Sequence, residues 1–163
     1  MRVFRIARNR YRHEILSGSG AALSRVARWN PYGTPMVYTS GSRSLAYLEM
    51  AAHLDWAEDA PSDRWLIELE IPENIVVSSV EKHELPLDWA QRPPSKSTQV
   101  LGLDFIRNGR TAVLRVPSAW IPEEFNYLIN PMHPDAAQIR VRSERPLIAP
   151  NEPVELGKTS LSR

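Results

Sequence analysis

Fourteen prolines against seven glycines constrain this 163-residue chain more than any other feature. Proline locks φ and lacks an amide donor, so it ends helices and stays out of central strand positions. Short elements separated by rigid turns are therefore expected, not long helices. Apolar patterning places strands at VFRIA (3–7), MVYTS (36–40), RWLIELEI (64–71), IVVSSV (75–80), TAVLRVPSAW up to Pro117, and QIRVRS (138–143). A helix is expected from the GSRS cap region to about Trp56, and another over STQVLGLDFIR (97–107), stopped at Asn108-Gly109. SGSGAA (17–22) reads as a flexible turn, RWNPYGTP (28–35) as a loop, and IPEEFNYLINP as a turn of helix or an ordered loop. Strands first, one or two helices, then more strands predict an α+β fold. Its core is a mixed or mostly antiparallel sheet with a few short helices.

The length suits one domain, expected over residues 1–150, with 151–163 as a poorly ordered tail. Lys and Arg number 20 against 19 Asp and Glu, which argues against direct nucleic-acid binding. The absence of cysteine excludes a disulfide scaffold, a thiolate nucleophile and a cysteine metal site. No apolar run has the form of a leader peptide or the length of a membrane span, so no membrane association is expected and the cytoplasm is the default location.

One carboxylate stands out. On a helical wheel for SLAYLEMAAHLDW (44–56), Leu45, Leu48, Glu49, Ala52 and Trp56 share one face, and Tyr47, Met50, Ala51 and Leu54 cover most of the rest. A helix apolar nearly all round belongs inside the domain, which leaves Glu49 in enclosed surroundings. An uncompensated buried carboxylate costs several kcal/mol or takes up a proton. Two readings follow: a structural salt bridge or bonds to backbone amides, or a carboxylate lining a pocket. Arg28 and Tyr38 lie close enough in sequence to join it through a strand-to-helix unit.

Other signals are weaker. His13, His53, His83 and His133 make no HExxH or close pair, so no metal site is expected. There is no GxSxG elbow, and SGSG lacks a following GK[ST]. Ser118 follows the proline that ends a strand, as a turn serine or as a hydroxyl at the mouth of a sheet. Asn126 and Asn130 are turn-capping or binding candidates.

The stretches ARWNPYGTPMVYTS, SLAYLE and LRVPSAWIPEEFNYLINPMHP, in that order, resemble the RES domain family, from about Phe4 to Arg142. That family comprises the toxins of bacterial RES–Xre toxin–antitoxin pairs. The resemblance implies an ADP-ribosyltransferase-like fold that uses NAD as substrate, without a metal. It implies cleavage of the nicotinamide glycosidic bond by hydrolysis or phosphorolysis, with inorganic phosphate as one possible acceptor, and an Xre-type antitoxin as partner. Protein ADP-ribosylation, or a non-enzymatic binding module of the same fold, are the alternatives. The family arginine falls on Arg28, the tyrosine on Tyr38, the glutamate on Glu49 and the serine on Ser118. Arg5 matches an arginine near the family's start, and Asn126 joins the binding set.

Two positions depart from the family. Val26-Ala27 stands where a glycine pair is common, and PLIAPNEPVE lacks the closing acidic and arginine motif. In the chemistry so implied, the leaving pyridinium departs neutral, so one carboxylate suffices where glycoside hydrolysis uses two. Glu49 then faces the ribose, Arg28 holds the diphosphate, Tyr38 stacks on nicotinamide, and Ser118 orients ribose or phosphate.

Overall fold

A computed structural model describes residues 1–53 and 63–147. Trp56, Leu54 and the tail from residue 151 lie outside the described residues. Among the described residues, seven strands form one sheet: β1 (Arg2–Arg8), β2 (Val37–Ser40), β3 (Arg64–Glu70), β4 (Val77–Ser79), β5 (Val113–Pro117), β6 (Phe125–Ile129) and β7 (Arg140–Pro146). Their spatial order is β4-β5-β6-β2-β1-β3-β7. Among the described strands, only β4 and β5 run parallel. This is the mixed α+β sheet expected from the sequence.

The register divides the sheet into two blocks. β1 pairs with β3 along its whole length, from Arg2↔Glu70 to Arg8↔Arg64. β2 pairs with β6 from Val37↔Ile129 to Ser40↔Asn126. Between β1 and β2 only Phe4↔Ser40 is paired. Beyond that point the two strands part.

Alternation gives each strand two faces. Val3, Val37, Ile67, Leu69, Val113 and Ile129 form a buried cluster on one of them. On the other, Phe4 and Leu66 pack under Ala46 of α2 (Arg43–Ala51), while Leu114, Val116 and Leu128 pack with Phe105 of α3 (Lys96–Asn108). The two helices thus cover the same face of different blocks, and a gap remains between them. No described helix is long and apolar enough to cross a membrane.

Three local expectations give way. The helix carrying Glu49 ends at Ala51, and it is not enclosed all round: Leu45 and Ala46 are buried but Tyr47 is 44% exposed. A helix laid on one sheet face leaves its outer side to solvent. Its start is as expected, with Ser42 Oγ accepting from the Leu45 amide at 3.1 Å.

Residues 17–22 are not merely a turn, because Ser19–Ala22 form one turn of helix, α1. Gly18 precedes it at φ 69°, where a Cβ would lie 2.6 Å from the Met36 nitrogen, so this glycine permits a close chain approach. The stretch around Phe125–Ile129 is a strand rather than a helical turn or loop. β2 and β5 flank it on both sides and satisfy its backbone, which overrides the weak strand propensity of asparagine.

Candidate active site

A cavity of about 820 Å3 opens where β1 and β2 part. Residues from both faces of β1, Phe4 and Arg5 among them, line it. That happens when a strand edge, not a strand face, borders a hollow. Tyr38, Ser40 and Asn126 supply the sheet side, Glu49 and Met50 of α2 one wall, and the segment from Ser24 to Trp29 another. Trp120 comes from the β5–β6 turn, and Arg92 and Pro94 from the loop before α3.

Glu49 lines the cavity and is held from behind. Its Oε1 accepts from Ser118 Oγ at 2.9 Å and from Asn126 Nδ2 at 2.5 Å. Asn126 is oriented in turn by Ser40 Oγ, which donates to its Oδ1 at 2.8 Å. The strand register Ser40↔Asn126 makes that contact. Among the described residues, Oε2 has no hydrogen-bond partner and Glu49 has no ion pair. The structural salt bridge and the backbone-amide bonds weighed for this residue are both absent there. Its anchors are neutral side chains, so the carboxylate is fixed in place without its charge being cancelled.

Ser118 itself is fully buried. Its oxygen also accepts from the Trp120 and Ile121 amides at 3.1 and 3.4 Å. The Ser118 hydroxyl thus stands behind Glu49, away from the cavity lining. Asn130 is likewise buried and does not line the cavity. It accepts from the Met132 amide and braces the turn after β6.

Arg28 is positioned by a brace that the sequence does not announce. Its Nη1 donates to the carbonyls of Trp89 and Gln91, at 2.5 and 3.1 Å. Its own carbonyl accepts from Thr98 Oγ1 of α3 at 2.8 Å, and that of Ala27 from Gln99 Nε2 at 2.9 Å. Gly102 lets α3 come down directly on the Trp29 carbonyl, which a Cβ would overlap. Nε and Nη2 of Arg28 have no partner among the described residues. Burial, then the neighbouring Arg92 guanidinium, pull the Arg28 pKa below its usual range, and Glu49 acts against them.

Tyr38 donates to Asn30 Oδ1 at 2.7 Å and accepts from the Trp29 amide at 2.9 Å. Burial raises its pKa, so the phenol stays neutral. Asn30, fully buried, uses its Nδ2 on the carbonyls of Ala21, Pro31 and Thr34. This pair stitches the Arg28 loop to β2 and leaves the Tyr38 ring at the cavity. Arg5 also lines the cavity. Its Nη1 reaches the Ile15 carbonyl at 3.3 Å, and burial lowers its pKa to about 10, so it remains a cation at neutral pH.

Five arginines line the cavity (Arg5, Arg8, Arg28, Arg64 and Arg92), and among the described residues only one carboxylate does, Glu49. Such a hollow favours an anionic guest with one cationic or cation-developing end.

The RES domain family matches residues 2–152. The chain belongs to that family. Among its relatives, the Prs ADP-ribosylating toxin of Sphingobium sp. (strain YBL2) is 39% identical over 137 residues, covering 83% of this chain and 84% of its own. Toxin Res of Photorhabdus laumondii is 36% identical over 135 residues, covering 83% and 85%. A chain of the M. tuberculosis MbcT–MbcA toxin–antitoxin complex shares the fold, with a TM-score of 0.72 at 17% identity over 90% of this chain and 83% of that one.

In this RES domain, five of the residues singled out from sequence line one cavity: Arg5, Arg28, Tyr38, Glu49 and Asn126. Val26 and Ala27, at the glycine-pair position, line it too. Ser40, Asn30, Arg92 and Trp120 were not singled out. The two-residue strand period that set Ser40 on the face of Tyr38 carried a signal for it. Asn30 falls in the sequence only as part of the 28–35 loop. Arg92 and Trp120 carry no local pattern, because chain folding alone brings them together.

Proposed function

We propose that this chain is an NAD-cleaving toxin, acting in the cytoplasm and neutralised by an Xre-type antitoxin. The observation that carries the reading is Glu49, with Oε1 fixed by two neutral donors and Oε2 unpartnered at an arginine-lined cavity. The cavity volume falls in the range of roughly 300–1,000 Å3 usual for small-molecule sites. Its charge layout matches a dinucleotide: arginines for the diphosphate and one anion for the ribose that becomes cationic.

Arg28 offers Nε and Nη2 to diphosphate oxygens, with Arg5 as a second cation. The Tyr38 ring, held by its hydroxyl, stacks on nicotinamide. Glu49 Oε2 takes a ribose hydroxyl and stabilises the positive charge that grows at C1′. The C1′–N bond breaks, the ring nitrogen keeps the electron pair, and nicotinamide leaves neutral, so no general acid is needed. Water then adds at C1′ and releases a proton to solvent, or inorganic phosphate adds in its place. Ser118 and Asn126 act through Glu49: they fix one oxygen and thereby aim the other. In this reading Ser118 does not touch the substrate.

A second reading is transfer of ADP-ribose to a protein. The 39% identical relative named as a Prs ADP-ribosylating toxin favours it, and the same carboxylate serves both acceptors.

Incubation with NAD, with and without phosphate, tests the reading. Nicotinamide should appear, and mass spectrometry should find ADP-ribose or its 1″-phosphate. Label appearing on a Prs protein with no free sugar product assigns transfer. No nicotinamide under any condition refutes both.

A further inference from the structure

Arg92 sits among cationic and aromatic neighbours, with Glu49 acting on it across the cavity and no bonded anion among the described residues. Its guanidinium lies over the Trp120 ring at the cavity edge. Among the described residues it makes no ion pair and no hydrogen bond. The loop that carries it is tied to Arg28, whose Nη1 holds the carbonyls of Trp89 and Gln91, three residues and one residue before Arg92. The two guanidiniums are therefore linked by a short rigid segment and both line one cavity.

Like charges so placed repel and lose hydration together, and an anion between them removes both costs. Partial desolvation does lower the Arg92 pKa, with Glu49 acting against it, and Arg92 in turn depresses Arg28. Planar guanidinium on indole leaves the in-plane N–H donors pointing outward, which suits phosphate oxygens.

We infer that Arg92, shelved on Trp120 and yoked to Arg28 through the Trp89–Gln91 carbonyls, is the second arm of a phosphate clamp in the cavity. The inference deepens the proposed function and rests on it for the source of the phosphate. That group belongs to the dinucleotide's diphosphate or is inorganic phosphate acting as acceptor. Glu49 repels free phosphate and attracts a ribose, so the diphosphate is the favoured occupant.

The test compares the parent with R92Q and R92K in full-length protein, with thermal melting to confirm folding. Nicotinamide release is measured over NAD and phosphate concentrations, and binding of ADP-ribose is measured by calorimetry. Losing a charged hydrogen bond to phosphate should raise the NAD KM and the ADP-ribose Kd about tenfold or more in R92Q, with kcat within about threefold. R92K should recover part of the affinity, because charge returns without the planar fork.

A rise confined to the phosphate KM assigns the clamp to the acceptor instead. Parent-like constants for NAD, phosphate and ADP-ribose in a folded R92Q overturn the clamp and leave the proposed reaction standing. If the parent releases no nicotinamide but binds ADP-ribose in an Arg92-dependent way, the clamp stands and the reaction falls. If the parent neither releases nicotinamide nor binds ADP-ribose, both fall.

Discussion

Ser118 donates its hydroxyl hydrogen to Glu49 Oε1 at 2.9 Å, joining residues 69 positions apart. The serine directly follows β5, the glutamate sits on α2, and β6 contributes Asn126 to the same oxygen. Three elements thus converge on one carboxylate oxygen. This convergence separates a positioned acid from one that merely survived burial.

S118A tests that positioning. The variant removes one of two donors to Oε1 and leaves the Trp120 and Ile121 amides without their acceptor. A stability loss of about 1–3 kcal/mol is expected. Turnover should fall about tenfold or more while the NAD KM stays near the parent value, because the serine does not meet substrate. Steady-state nicotinamide release and thermal melting read the two effects separately. A raised KM with unchanged kcat contradicts the assignment.

Gly102 tests the brace behind Arg28. A methyl group there would overlap the Trp29 carbonyl oxygen, and backbone cannot swing aside as a flexible side chain can. G102A should lose about 1–3 kcal/mol by overpacking. It should also weaken NAD binding by displacing Arg28, although Gly102 does not line the cavity. Calorimetric binding by the folded variant checks this, and parent-like affinity counts against the brace.

Arg5 gives a pH signature of definite sign. Burial lowers its pKa from the ordinary arginine value to about 10. Between those values the unfolded chain holds more protons, so this residue's contribution to stability rises with pH through that window. Below about 10 the folded protein carries the unfavourable buried charge in full. Ligand affinity should move the opposite way: the cavity loses a cation as pH passes about 10. ADP-ribose binding should hold to about pH 9 and then weaken, with a shallower decline in R5Q. Identical profiles for parent and R5Q contradict a role for Arg5 in anion binding.

Short proline-bounded elements, the two helices and most strands were legible because each follows from local pattern and breaker placement. Glu49 was legible as a problem: an acid on an apolar helix needs an explanation. Its solution was only half legible. That Asn126 and Ser118 would share Oε1 depends on the β2–β6 and β5–β6 registers, which no local period encodes. The strand at Phe125–Ile129 was missed in part for the same reason, since β2 on one side of it is remote in sequence. Arg92 and Trp120 were invisible because their pairing exists only once the loop before α3 meets the β5–β6 turn.

The most direct measurement is nicotinamide release by E49Q beside calorimetric binding of NAD. The amide oxygen of glutamine still accepts from Ser118 and Asn126, so fold and ligand affinity should stay near those of the parent. Only the negative charge at the growing cation is lost, and the rate should drop by about a hundredfold or more. An E49Q protein that binds NAD and releases nicotinamide at the parent rate contradicts the role given to this carboxylate.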